Sequence, residues 1–173
     1  MSVYTNPASG AAEHAAAYVT AVLDLLGQRD PLAILDETPT VLSRAIEGLS
    51  AAQLRQPERR SKWSITQILQ HLADSEIASG WRIRQILAHD RPTLTGYDQD
   101  LWAERLRYDQ ADPNLALEQF GVLRRANLRL LVRASPDELK RVGERIINLE
   151  SFLNQMIEIQ RTSGIQGISY FGN

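Results

Sequence analysis

Cysteine is absent from this chain of 173 residues. Disulfide frameworks, thiolate zinc sites, iron–sulfur clusters and a cysteine nucleophile are therefore excluded. A bound metal ion would have to use imidazole, carboxylate or amide ligands. Histidine is scarce as well, because the chain has only His14, His71 and His89. A site that needs several imidazoles has few residues to draw on.

A strong charge of either sign is also missing. Nineteen basic and 21 acidic residues give a formal net charge of -2, which offers no broad attraction for nucleic acid or anionic lipid. No basic segment leads into an apolar run near the start of the chain, and no window approaches the roughly 18 to 20 apolar residues that span a bilayer. We therefore expect no nucleic-acid partner, no membrane segment and a cytoplasmic location.

Motifs for nucleotide binding and for serine hydrolases do not occur either. The chain contains no G-x-x-x-x-G-K-[ST], G-x-G-x-x-G or G-x-S-x-G sequence, and those motifs need strand-to-helix turns that a helical protein lacks. Hydrophobic residues make up 43% and charged residues 23% of the chain, as in ordinary globular proteins. The length then predicts a single domain over residues 1–173.

Apolar residues recur at spacings of three and four along almost the whole chain, which predicts an all-α fold. We expect an up-and-down four-helix bundle with one long connection. The long helices are expected at about 9–26, 64–88, 112–134 and 148–162, with a shorter helix from just after Pro39 to about Gly48. Short helical turns are expected after Ser50, around 101–106 and after Ser135. Residues 89–110 form the long connection, which is apolar enough to pack down as a cover.

The apolar face of the helix at 64–88 also contains Glu76. An isolated buried carboxylate is too costly, so Glu76 must be paired, hydrogen-bonded or protonated. The candidate partners are Arg44, Arg124 and Arg125. Two interpretations stay open at this point: a structural ion pair and a functional carboxylate.

His71 lies at the edge of the same face, and Ser75 and Arg82 follow it on one side of the helix. This stripe predicts the wall of a pocket. Asp74, three residues after His71, could orient the imidazole or share a metal with it. The alternative is a histidine at the surface or at the edge of the core. The aromatic residues of the long connection could form a lid over this face, although loop packing also explains them: Tyr97, Trp102 and Tyr108.

The run from 63 to 76 reads WSITQILQHLADSE, and a second set of positions continues a pattern downstream. That set comprises Pro92, Leu94, Tyr97, Asp98, Trp102, Ala103, Glu104, Tyr108, Asp112, Pro113, Ala116, Leu117, Phe120, Arg124, Asn127 and Leu128. Over roughly residues 30–142 the chain resembles the DinB/YfiT-like four-helix-bundle proteins. The resemblance implies a bundle, often a homodimer, that holds nickel or zinc with three histidines. Family members include thiol-dependent S-transferases, a maleylpyruvate isomerase and proteins called metal-dependent hydrolases.

One part of the family pattern is missing from this chain. The resemblance makes His71 the first metal ligand, and the H-x-x-x-H pair that supplies the other two would fall near Gln160 and Gly164, where no histidine occurs. One imidazole with an amide oxygen binds a divalent ion far more weakly than three imidazoles do. We therefore expect no cofactor or, if any, nickel or zinc in a site rebuilt with Glu150 or Glu158.

The segment 143–173 differs in composition from the rest of the chain. Residues 1–142 contain 19 alanines and 7 isoleucines, whereas residues 143–173 contain no alanine and 6 isoleucines. Two origins stay open: replacement of the usual last helix by frameshift, fusion or recombination, and ordinary drift under packing constraint.

These observations lead to one functional expectation and two alternatives. We expect a DinB-like bundle protein, homodimeric, with a degraded metal site and a small-molecule pocket beside His71, contacted by Asp74, Ser75, Arg82 and Gln160. The first alternative is an active divalent-metal-dependent enzyme, either a transferase of the thiol S-transferase type or a hydrolase. The second is a pure interaction module without a pocket, for which nothing in the sequence marks a partner surface.

Overall fold

The computed structural model describes residues 24, 26–57, 59, 60, 62–143, 147 and 148. Within them the chain forms the helices α1 (Pro31–Ile46), α2 (Ala51–Arg55), α3 (Ile65–Ala88), α4 (Gln99–Arg105), α5 (Pro113–Arg133) and α6 (Pro136–Leu139). A 3-10 turn (Tyr108–Gln110) follows α4, and a short antiparallel pair, β1 (Val142–Gly143) and β2 (Ile147–Asn148), follows α6. None of the helices described here is long and apolar enough to cross a membrane.

Capping residues fix the starts of the two longest helices where the sequence predicts them. The Ser64 side chain accepts from the backbone N–H of Gln67, and Gln67 Oε1 accepts from the Ser64 N–H at 2.9 Å. Asp112 caps α5 with Pro113 at its first position. The helical fold and the long connection are therefore confirmed. The predicted helices at 9–26 and 148–162 lie almost entirely outside the described residues.

Helix α1 begins earlier than the sequence analysis predicts, and the expected start after Pro39 is wrong. Asp30 caps the helix, and Pro31 occupies the first turn, where a missing N–H costs nothing. Pro39 then lies inside the helix and leaves the carbonyl of Leu35 without its usual donor. That carbonyl instead accepts a hydrogen bond from Arg124 Nη1 at 2.9 Å.

Helices α3 and α5 run in the same direction. One core cluster joins their first halves and contains Leu72 and Phe120, and the other joins their second halves and contains Ile83 and Leu128. Helix α1 runs opposite to both and packs on α5. A strictly up-and-down order therefore does not hold for α3 and α5, because the long connection returns along α3 before α5 begins. Long crossovers of this kind join parallel helices in bundles.

A buried polar network links α1, α3 and α5. Glu76, 2% exposed, pairs with Arg124, 1% exposed, with 2.6 Å between Oε1 and Nη2. Asn127 Nδ2 donates to Glu76 Oε2 and to the Glu76 carbonyl, each at 3.0 Å. Of the partners considered for Glu76, Arg124 is the one that pairs with it, so the interpretation as a structural ion pair is confirmed.

Candidate functional site

His71 lies on α3 beneath the long connection, with 3% of its surface exposed. Its Nε2 is 3.4 Å from Oγ of Ser75, one helical turn further on. The indole of Trp63 packs edge-on against the imidazole, with ring centroids 5.0 Å apart. Nδ1 is buried and makes no hydrogen bond with the residues that the structure describes. The imidazole is thus enclosed while one ring nitrogen is left for a further partner.

Burial sets the protonation state of His71. Removal from water disfavours the imidazolium and lowers the pKa of His71 from 6.5 to about 4. At neutral pH the ring is therefore uncharged, with a proton on one nitrogen and a lone pair on the other. Such a ring can accept a hydrogen bond from a ligand or bind a metal ion through the lone pair.

Tyr97 covers the Ser75 side of the site. Its Oη lies 2.9 Å from Ser75 Oγ, so two hydroxyls and the His71 imidazole form a continuous polar chain. The Tyr97 ring stacks against Trp102 with centroids 4.3 Å apart. Burial raises the pKa of the Tyr97 hydroxyl, and its hydrogen bond with Ser75 offsets part of that rise. Tyr97 therefore keeps its proton at neutral pH.

Asp74 has a different role from the one the sequence suggests. Its Oδ2 accepts from Tyr108 Oη at 2.7 Å and its Oδ1 accepts from Gln70 Nε2 at 3.1 Å. Asp74 is three residues after His71 on the helix and therefore points to one side of it. Ser75 is four residues after His71 and lies alongside it. Asp74 therefore holds Tyr108 rather than the imidazole. Burial and this hydrogen bond raise the pKa of Tyr108.

Arg82 reaches the site through the long connection. Its Nη2 and Nε donate to the Thr95 carbonyl at 2.8 and 3.2 Å. Its guanidinium carbon is 5.8 Å from the centroid of the Tyr97 ring. Burial lowers the pKa of Arg82, and the nearby Tyr97 acts in the opposite sense. Of the predicted stripe, Ser75 contacts His71 directly. Arg82 is linked to the site through Thr95 and Tyr97.

A three-histidine metal centre does not fit these residues. His89 caps the far end of α3, about 27 Å along the helix axis from His71. Over the described part of the chain, no three His, Cys, Asp or Glu side chains come together in a way that could hold a metal ion. His14 and Gln160 lie outside the described residues. The described residues therefore offer a metal ion a single imidazole.

Two contacts of this site are not specified by the helical pattern of the sequence. Trp63 immediately precedes the N-cap of α3, and an apolar residue there folds back over the first turns, a signal that could have located it beside His71. The Tyr97–Ser75 hydrogen bond joins residues 22 positions apart. The contact agrees with the lid considered for Tyr97 in the sequence, although no local signal indicates that Ser75 is its partner.

Two open cavities of about 570 Å³ each lie away from His71. One is lined by Asp90, Arg91, Lys140 and Arg141. The other lies between the end of α1, α2 and the start of α5. The His71 imidazole itself is almost completely buried, and Trp63 packs against it.

The comparisons with known proteins agree with this architecture. A family model described as the DinB superfamily matches residues 34–158. The chain belongs to the DinB superfamily. The solved structure of YfiT from Bacillus subtilis superimposes with a TM-score of 0.73 at 28% identity, covering 81% of this chain and 82% of that chain. YfiT is described there as a probable metal-dependent hydrolase with an unusual four-helix bundle topology.

Two of the curated relatives are provisionally named metal-dependent hydrolases. YfiT of Bacillus subtilis (strain 168) is 32% identical over 108 residues, and a protein of Bacillus mycoides (strain KBAB4) is 28% identical over 107 residues. Each match covers 62% of this chain. The chain spans 61% of the length of these relatives.

Proposed function

We propose that this DinB-superfamily protein binds a small molecule at His71 and lacks the three-histidine metal centre implied by the family resemblance. One observation carries the proposal. His71 is buried, neutral at physiological pH and joined to Ser75, and no second imidazole lies near it among the described residues. A neutral imidazole with an unpartnered buried nitrogen suits a hydrogen-bonding ligand.

The walls of the site favour a ligand with an apolar body and a few polar groups. Trp63 supplies a flat apolar surface against the imidazole, and the polar groups of His71 and Ser75 lie 3.4 Å apart beside it. Trp102 supplies a second flat surface, which the Tyr97 ring covers in this structure. Small-molecule sites commonly combine aromatic walls with a small number of placed polar groups. We expect the chain to act as a homodimer in which each subunit has such a site.

A second candidate is an active divalent-metal-dependent enzyme, either a hydrolase or a thiol S-transferase. The names of the relatives favour it, and a neutral imidazole at His71 suits metal binding. It requires ligands from outside the described residues, and the sequence supplies no histidine after His89. The first candidate is therefore preferred.

A thermal-shift screen of small aromatic hydroxyl, amide and carboxylic compounds tests the proposed function. Wild-type protein, His71→Ala and a control, His89→Ala, are compared through the shift that each compound adds to their own melting temperature. We expect at least one compound to stabilise the wild type and His89→Ala while leaving His71→Ala unshifted. Equal shifts in all three proteins would contradict binding at His71. Hydrolysis or thiol transfer that requires added nickel or zinc and disappears in His71→Ala would support the second candidate instead.

A further inference from the structure

The cover over His71 is anchored in the core just before Tyr97. Leu94, 5% exposed, packs in the core with Ile83 and Leu128. Beyond it, Thr95 and Gly96 are exposed, and a Cβ added at Gly96 would meet no atom within 4 Å. The segment 95–98 therefore begins directly after the buried Leu94 and ends at Asp98, the N-cap of α4. Its first two residues have little apolar packing.

Polar contacts hold this segment down on α3. Tyr97 Oη lies 2.9 Å from Ser75 Oγ, and Arg82 donates twice to the Thr95 carbonyl. Hydrogen bonds of this kind can be exchanged for bonds to water, and their net contribution corresponds to a factor of roughly two to ten in an equilibrium constant. Such contacts are strong enough to favour the closed arrangement and weak enough to be replaced by a ligand.

We propose that Tyr97 is the gate of the His71 site and that its hydrogen bond to Ser75 is the latch. The segment 95–98 swings off α3 to admit the ligand and closes when the ligand leaves. The inference rests on the proposed function, since His71 is the group to which access is controlled. The ligand that displaces Tyr97 carries a hydroxyl or carbonyl group for Ser75 and a planar group for Trp102, because Tyr97 gives up those two partners on opening.

Chemical labelling of His71 measures the gate without knowledge of the ligand. Diethyl pyrocarbonate acylates uncharged imidazoles that it can reach, and peptide mass spectrometry reports each histidine separately. In the wild type, we expect His71 to react much more slowly than exposed His89. Tyr97→Phe keeps the ring but removes the latch hydroxyl, so the His71 rate should rise about twofold to tenfold while the His89 rate stays the same.

Three further variants separate the latch from other effects. Ser75→Ala removes the same hydrogen bond from its other side, so combining it with Tyr97→Phe should add no further rise. Thr95→Ala keeps the carbonyl that Arg82 binds and should behave as wild type. Tyr108→Phe weakens a neighbouring contact outside the gate, so it reports the effect of lower stability alone and should leave the His71 rate unchanged.

The gate is overturned if His71 reacts as fast as His89 in the wild type. It is also overturned if the His71 rate does not change in Tyr97→Phe, or rises as much in Tyr108→Phe. These outcomes are independent of the ligand screen. If the labelling results contradict the gate but a ligand in the thermal-shift screen still requires His71, the proposed function stands. If the labelling results support the gate but no ligand requires His71, only the proposed function is contradicted.

Discussion

His71 is a histidine kept uncharged by its surroundings. The imidazole is 3% exposed, lies against Trp63 and has a pKa lowered to about 4. Among the described residues, Asp74 is the acidic side chain next to His71 on α3, and its carboxylate is turned towards Tyr108 and Gln70. Protonation of His71 in the folded protein therefore requires charging a buried ring.

The pKa of His71 predicts an acid sensitivity of the metal-free protein. The unfolded chain takes up a proton near pH 6.5, whereas the folded protein takes it up only near pH 4. Stability is therefore fully present above pH 6.5 and falls as the pH drops towards 4. The loss reaches about 3 kcal/mol, since each pKa unit corresponds to about 1.4 kcal/mol. Urea unfolding at several pH values, in the presence of a chelator, measures it.

Two variants assign this pH dependence to one residue. His71→Gln should unfold with a free energy that changes less between pH 6.5 and 4 than that of the wild type. His89→Gln removes an exposed histidine and should keep the wild-type slope. An unchanged slope in His71→Gln would show that other groups cause the acid sensitivity.

Tyr108 supports the carboxylate on the other side of the site. Its hydroxyl donates to buried Asp74 at 2.7 Å, and removal of a donor from a buried carboxylate costs about 1–3 kcal/mol. We expect Tyr108→Phe to lower the free energy of unfolding by that amount in urea titrations at pH 7. Tyr97→Phe is the matched control, because its partner Ser75 is neutral and the cost should be smaller. Equal losses would contradict a special role for the charged acceptor.

The sequence places part of this site correctly at the residue scale. His71 and Ser75 are four residues apart, and this spacing brings two side chains together on any α-helix. The contacts of Ser75 with Tyr97 and of Asp74 with Tyr108 depend on the path of the long connection. Periodicity carries no information about that path, so these partners could not be assigned before the structure.

At the scale of elements, the Arg124 side chain compensates for the hydrogen bond that Pro39 removes from α1. Pro39 removes a helical hydrogen bond from the Leu35 carbonyl, and Arg124 supplies a replacement while pairing with Glu76. The Thr38-Pro39 pair predicts a helix boundary, since local sequence does not reveal a replacement donor that lies on a distant helix. The boundaries at Ser64 and Asp112 are predicted correctly because their capping partners are local.

Loss of the Arg124 side chain should destabilise the bundle strongly. Arg124→Met leaves the buried Glu76 carboxylate without its cation and the Leu35 carbonyl without its donor, at a cost of about 3–5 kcal/mol. Arg125→Met, one residue on and exposed, should change the free energy of unfolding by less than about 0.5 kcal/mol. Urea titrations of both variants check the difference. Similar stabilities for the two variants would contradict the role of the buried pair.

Gly80 lets α3 and α5 approach closely. A Cβ at this position would overlap the side-chain amide of Asn127, which is held by Glu76. We expect Gly80→Ala to lower the free energy of unfolding by about 1–3 kcal/mol. That loss occurs although alanine is the better helix former by about 1 kcal/mol.

Gly121→Ala on α5 is the matched control for Gly80→Ala. A Cβ at Gly121 would meet only ordinary contacts, at 3.5 Å from Arg125 and 3.7 Å from Pro39. This variant should be neutral or up to about 1 kcal/mol more stable, by gain of helix propensity. A loss as large as that of Gly80→Ala in calorimetric or urea unfolding would argue against a specific close approach at Gly80.

At the scale of the whole molecule, the connection between α3 and α5 creates the site. Because the two helices are parallel, the chain must return along α3, and this return places Tyr97 over Ser75 and the 3-10 turn beside Asp74. The helical bundle could be predicted from periodicity and family resemblance. Helix direction could not, because an apolar stripe shows which face is buried and not which way its neighbour runs.

The central claim is that the DinB bundle carries a His71 site without the three-histidine metal centre. Elemental analysis of protein purified without a metal-affinity tag, beside His71→Ala prepared in the same way, tests it most directly. The proposed function predicts nickel and zinc far below one ion per chain in both proteins, with both folded. Close to one ion per chain in the wild type, lost in His71→Ala, would contradict it and favour a metal-dependent enzyme.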